Sequence, residues 1–319
     1  MAQHSKAVTH MGLFDAPGMW KGVLCAPLTP FTSDLAFVDD DRFAQQIDFL
    51  IGQGVPALSP GLHAGESPSL SAGERDLLMR LTVEVADGRV PVVAHVSSSA
   101  TRQSVEHAQT AAAAGAAAVV SASPYYWQPT DGALIDHFAA IAEAVDVPLI
   151  PYVYPGDLTL DSFAALLDAL PTAGGIKSGD FDLQYLTELC RIVADRRPDF
   201  SVFAGVEYAL PMAVLGGAGC FSALGLVAPR LVAALSAAVE AGDVVAALPL
   251  QRKMSALWHL LRPGYPGRVK AACTILGRDL GPVRPPVSAP DAAEVNAVER
   301  ELTALGLTET EGFGWRAAP

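Results

Sequence analysis

Lys177 closes an apolar, β-prone run, AGGIK, whereas Lys6, Lys21, Lys253 and Lys270 end no strand-like segment. Burial in an apolar mouth penalises the ammonium form, lowers the pKa and frees a neutral amine to attack carbonyl carbon. The expected chemistry is imine formation. A plainer reading pairs Lys177 with Asp180 or Glu207, and spacing alone leaves both readings open.

Tyr152 closes the preceding run, PLIPY. Adjacent parallel strands would bring its phenol beside Lys177, where it could shuttle a proton during carbinolamine and imine formation. A tyrosine at a strand end also serves simply as packing. Tyr125, Tyr126 and Trp127 follow in SASPYYWQP; one tyrosine suits a proton relay, the other a subunit contact, and the tryptophan an interface or core. The segment SPGLHAGES contributes His63, Gly65 and Glu66. His63 is a candidate acid or base, though a lone loop histidine is usually just solvated or packed. Gly65 would let backbone approach a ligand carboxylate, and Glu66 reads as a structural hydrogen-bonding group.

These groups must be held by the elements that end in them. Short apolar runs alternate with Ala/Leu-rich segments of helical period, the pattern of β–α units around a parallel sheet. Eight runs stand out, at 22–27, 57–59, 90–96, 117–122, 148–152, 173–177, 201–205 and 219–223. Eight such units predict an α/β fold, a (β/α)8 TIM barrel, with its active site at the C-terminal ends of the strands. An open doubly wound sheet would instead call for a phosphate-binding glycine signature after its first strand.

Helices are predicted at 39–52, 71–86 and 100–115, the second opened by Ser71 with Glu74 three residues on. Further helices at 244–261, 267–276 and 290–305 are separated by RPGYPG and LGPVRPP. The expected division is a poorly ordered tail at 1–19, a barrel at 20–240 and a helical extension at 241–319 packed on the barrel, its last several residues also poorly ordered.

Of the 319 residues, 51% are hydrophobic and 17% charged, which suits one large-cored domain. Lys and Arg total 21 against 34 Asp and Glu, with no basic cluster, so nucleic acid is not an expected partner. Cys25, Cys190, Cys220 and Cys273 lack metal-ligand spacing and read as buried thiols. Residues 1–19 lack a signal-like apolar stretch, and no run reaches the roughly 18 apolar residues of a spanning helix. A cytoplasmic enzyme with no membrane association is the expectation.

The order of APLTPF (26–31), AGESPSLS (64–71), SPYY (123–126), PLIPYVYP (148–155), GIK (175–177) and GPVRPP (281–286) resembles the dihydrodipicolinate synthase and N-acetylneuraminate lyase family of class I aldolases and dehydratases. The similarity runs from about residue 22 to about residue 305. It implies that Lys177 forms the imine with pyruvate or a related 2-keto acid. It further implies that Tyr152 relays protons, and that Tyr126 completes the relay from a neighbouring subunit. Homotetramers built from tight dimers, with no metal and no organic cofactor, are also implied.

The departures concern substrate. Where the family usually has GTTGE or GSTGE, this chain has LHAGE, so Leu62, His63 and Ala64 replace a glycine and two hydroxyl residues. Carboxylate binding is then expected from His63 and from backbone at Ala64, Gly65 and Ala223. Asp157 stands where the lysine-biosynthesis enzymes usually carry an arginine for a second carboxylate, which disfavours aspartate semialdehyde as acceptor. Phe181, in SGDFD after Lys177, suggests a different pocket wall. The leading reading is a pyruvate-type aldolase. A dehydratase of a deoxy keto-sugar acid, an authentic dihydrodipicolinate synthase, a non-catalytic keto-acid-binding barrel and a phosphate site at Gly216, Gly217 and Gly219 are the alternatives.

Overall fold

The computed structural model describes residues 21–315. Its eight strands are β1 (Gly22–Cys25), β2 (Ala57–Leu58), β3 (Val93–His95), β4 (Ala118–Ala122), β5 (Leu149–Val153), β6 (Gly175–Ser178), β7 (Ser201–Ala204) and β8 (Gly219–Ser222). All pairings are parallel, in the order β2-β1-β8-β7-β6-β5-β4-β3. A parallel bridge from Leu58 to Val92 joins the two edges, so the sheet curls into the expected eight-stranded β/α barrel. Every run predicted as a strand overlaps one, β5 and β6 each reaching one residue past the predicted end.

Helices α1 (Asp40–Gly52), α2 (Ala72–Ala86), α3 (Thr101–Ala113), α4 (Asp131–Glu143), α5 (Leu160–Ala169), α6 (Leu183–Arg196), α7 (Ala209–Val214) and α8 (Pro229–Glu240) alternate with the strands. Local chemistry explains where several begin. Asp39 accepts from the Arg42 N–H, and Ser71 with Glu74 forms a reciprocal capping box. Each such cap contributes about 1 kcal/mol by satisfying N–H groups that have no partner within the helix. Close strand contact imposes glycine at 219: its φ is +135°, and an added Cβ would lie 2.0 Å from the Gly22 carbonyl oxygen.

Beyond the barrel lie α9 (Val244–Leu261), α10 (Gly267–Ile275), α11 (Ala292–Ala304) and a short α12 (Leu307–Glu311). Helix α9 packs on α8 and α7, and α12 on α8. The expected tail at 1–19 lies outside the described residues. At the other end, Phe313 and Trp315 pack on Phe49 with ring centroids 5.9 and 5.6 Å away, and the rest of the expected C-terminal tail, 316–319, lies outside the described residues. Fully buried Arg278 ties the Phe313 segment down through the carbonyls of Leu226, Val227 and Glu311. Two aromatic side chains and one buried guanidinium outweigh the polar, Gly-containing local sequence. No helix of the described residues is long and apolar enough to cross a membrane.

Candidate active site

Strand β6 delivers Lys177 to the C-terminal rim, where the side chain is 4% exposed. Tyr152 on β5 is its register partner, and the lysine Nζ lies 3.6 Å from the Tyr152 ring centroid and 4.7 Å from that of Phe221. Burial draws the amine down to about 7, against the opposing pull of the Glu207 charge. Of the two carboxylates suggested as structural partners, Asp180 turns back to accept the Asp182 N–H, whereas Glu207 shares the lysine's cavity. Burial pushes Glu207 up to about 7, opposed by hydrogen bonding from Ser222 and from the Ala223 N–H, which reaches Oε1 at 3.3 Å.

The cavity measures about 310 Å³. Lys177, Tyr152, His63, Ala64 and Ala223 all line it, so five of the residues singled out from sequence come together there. His63 is exposed, its ring standing at the mouth and 5.4 Å from the Tyr265 ring. Partial desolvation and then the Lys177 charge lower its pKa, an effect its exposure limits. Burial raises the Tyr152 hydroxyl, and the neighbouring Tyr154, with which it hydrogen-bonds, adds to the shift. The neutral phenol is thereby favoured.

Two sequence candidates lie elsewhere. Gly65 sits behind the wall rather than on it; its carbonyl accepts the Thr29 hydroxyl at 2.6 Å, and a Cβ would crowd Thr29 and the Pro27 carbonyl. Its glycine is thus a packing requirement. Tyr126 is 89% exposed, with φ +114°, and is not part of the cavity wall; its ring meets Trp127 edge-on at 5.4 Å. Gly216, Gly217 and Gly219 lie toward the N-terminal end of β8, on the rim opposite Lys177, where Gly217 gives room to Met212.

Loop 62–66 is held from behind. Glu66, in a left-handed conformation, ends the His63–Gly65 turn, accepts the Arg284 N–H at 2.8 Å and pairs with Lys270 at 2.8 Å in a buried setting. Arg284 grips Glu74 with both guanidinium nitrogens and covers the Phe31 ring at 4.2 Å. Three of the sequence landmarks therefore meet behind the mouth.

Sequence reasoning missed Trp258 and Tyr265, which reach the cavity from α9 and the turn after it. Trp258 lies edge-on to Tyr265 at 5.6 Å. The one available signal was a pair of aromatics, Trp258 shortly before RPGYPG and Tyr265 within it, in an otherwise largely aliphatic stretch. His95 was also missed: Nε2 is 2.6 Å from the Ser97 hydroxyl, and burial holds its pKa well below the usual range. Among the described residues no group of His, Cys, Asp or Glu is arranged to hold a metal ion.

A parallel eight-stranded barrel with a desolvated lysine at the C-terminal rim defines the class, a β/α-barrel lyase. Comparison with known proteins gives the family. Residues 19–305 match the dihydrodipicolinate synthetase family, and the chain belongs to it. A 4-hydroxy-tetrahydrodipicolinate synthase of Rhizobium meliloti is 38% identical over 297 residues, covering 91% of this chain and 99% of that one. An uncharacterized DapA-like lyase of Halobacterium salinarum is 35% identical, over 90% and 94% of the two chains. Among solved structures, the E. coli K12 prophage protein YagE, of the dihydrodipicolinic acid synthase family and in complex with pyruvate, superposes with a TM-score of 0.86 at 29% identity, over 90% and 99%. A solved dihydrodipicolinate synthase, DapA, gives 0.84 at 30% identity, over 90% and 100%.

Proposed function

We propose that the protein is a class I aldolase acting on pyruvate or a related 2-keto acid through an imine on Lys177. The observation that carries this reading is the lysine itself: a nearly buried amine with a depressed pKa, set between the Tyr152 and Phe221 rings inside a cavity. The neutral amine adds to the C2 carbonyl, and Tyr152 hands a proton to the oxygen so that water leaves. Loss of a C3 proton from the imine gives an enamine, whose C3 attacks an aldehyde carbon. His63 and the backbone N–H groups at the start of its turn, which have no partner within the turn, bind the keto-acid carboxylate. The Ala223 N–H instead holds Glu207.

Borohydride reduction with pyruvate, followed by peptide mass spectrometry, tests the reading. The expected result is one stable adduct on Lys177 and none in Lys177→Ala. Absence of an adduct with a panel of 2-keto acids would leave only a keto-acid-binding barrel.

A dehydratase of a deoxy keto-sugar acid uses the same imine and is the second reading; it gains support from the departure at Asp157. That carboxylate accepts the Tyr154 N–H at 2.7 Å and closes a turn, a role unlike that of an arginine gripping a second carboxylate. The same departure weighs against authentic dihydrodipicolinate synthase activity, although many relatives carry that name. The exposed trio Tyr125, Tyr126 and Trp127 supports a homodimer or homotetramer in which Tyr126 serves a neighbouring subunit. Four free cysteines agree with a reducing, cytoplasmic setting. The proposed chemistry uses no metal or organic cofactor, and neither nucleic acid nor membrane is a partner in this reading.

A further inference from the structure

The geometry points to an acceptor aldehyde carried on an aromatic ring, a substrate class that rests on the Lys177 imine reading and sharpens it. The cavity exceeds what a three-carbon keto acid needs, and most of the remaining wall is apolar. Phe221, Tyr154, Phe181, Trp258 and Tyr265 supply it. Tyr154 stands 4.7 Å from Tyr152, and Trp258 meets Tyr265 edge-on at 5.6 Å, offering the tilted and edge-to-face partners that a bound ring prefers. At the rim, half-exposed Phe181 carries the Arg262 guanidinium over its face at 4.9 Å.

The polar groups along this wall argue in the same direction. Lys177 and Glu207 are the only Lys, Arg, Asp or Glu among the lining residues. An aldehyde bearing a phosphate or a second carboxylate would find no arginine among the described lining residues to grip it, since Arg262 lies outside the lining, on the Phe181 ring at the rim. Hydroxyls of a polyhydroxylated chain laid against the Phe181, Phe221 and Trp258 rings would be buried without partners there, at about 1–3 kcal/mol each, a cost that an aromatic ring does not incur.

The reaction balances without a further reactant. Enamine C3 bonds to the aldehyde carbon, the aldehyde oxygen takes a proton, and water hydrolyses the resulting imine. The products are free Lys177 and a 4-hydroxy-2-oxo acid with the ring on C4.

The test supplies pyruvate with benzaldehyde, 2-hydroxybenzaldehyde, glyceraldehyde or succinic semialdehyde and measures kcat/KM for each. Exchange of the pyruvate C3 hydrogens in D2O is followed in parallel by NMR. The expected outcome is exchange together with a preference of about tenfold or more for an aromatic aldehyde. Trp258→Ala, and independently the rim variant Phe181→Ala, should shrink the aromatic-to-glyceraldehyde ratio several-fold. Exchange with preference for glyceraldehyde or succinic semialdehyde overturns the substrate class alone, as does an unchanged ratio in both variants. Absence of both exchange and borohydride trapping overturns the imine reading beneath it.

Discussion

Tyr152 and Lys177 are register partners on adjacent strands, and the lysine nitrogen lies 3.6 Å from the tyrosine ring centroid. The amine is thus covered by an aromatic face whose own hydroxyl is directed to Tyr154. Burial favours the neutral amine even though the ring face itself attracts the ammonium, and in the proposed mechanism the phenol is the nearby proton carrier. Tyr152→Phe keeps the cover and removes the carrier. It should lower the rate of pyruvate C3 exchange by about 10²–10⁴-fold while borohydride still traps the adduct slowly. Rapid exchange in the variant would remove Tyr152 from the relay.

The acid limb of imine formation should fall near pH 7, where Lys177 gains its proton. Glu207 opposes burial by favouring the ammonium form, with Cys220 acting weakly in the same sense. Glu207→Gln removes the larger opposing influence, so the amine loses its proton more readily and the limb should move about one unit to lower pH. Trapping yield against pH measures this. Movement to higher pH would mean that Glu207 does not act on Lys177 electrostatically.

His63 stands at the mouth of the cavity, where the proposed mechanism gives it a part in binding rather than in bond making. His63→Ala should raise the KM for the keto acid about tenfold and leave kcat within about threefold. Unchanged kinetics would sink any direct contact with substrate.

Most of the barrel was legible because burial on both faces of a parallel strand writes an unbroken apolar run, and lysine or tyrosine at its end is conspicuous. Lys177 and Tyr152 were placed at the rim in this way, and His63, read from the loop after β2, lines the same cavity. Trp258 and Tyr265 were not found, because their reach into the cavity depends on how α9 folds back across α7 and α8, which no local pattern encodes. Gly65 does not line the cavity, and its case is related. A glycine signals close approach without naming what approaches, and here it is Thr29 and the Pro27 carbonyl.

Glu66 and Lys270 form a buried ion pair, their side chains 0% and 4% exposed, joining the mouth loop to α10. Glu66→Ala strands the ammonium and should destabilise the fold by about 3–5 kcal/mol. Glu66→Leu combined with Lys270→Met removes both charges and should recover at least half of that loss. Chemical denaturation of the three proteins checks this; a double variant no more stable than Glu66→Ala would show that the anchoring of the loop, rather than the stranded charge, sets the cost.

Lys177 should be a site where stability is given up for chemistry. Its folded-state pKa is about 7 against 10.5 for an ordinary lysine, so between those values the unfolded chain binds the additional proton. Stability should therefore rise with pH across that window: the penalty is full below about pH 7 and has faded by about pH 10.5. Lys177→Met fills the same slender volume with an apolar group and removes the penalty. Its Tm should exceed that of the parent by about 2–6 °C at pH 7, with the gain shrinking steadily as pH is raised. Scanning calorimetry of both proteins at several pH values decides the point. A variant less stable than the parent at pH 7, or a gain that does not change with pH, would mean that the amine is hydrated or paired in the folded protein, and the basis for its nucleophilicity would be lost.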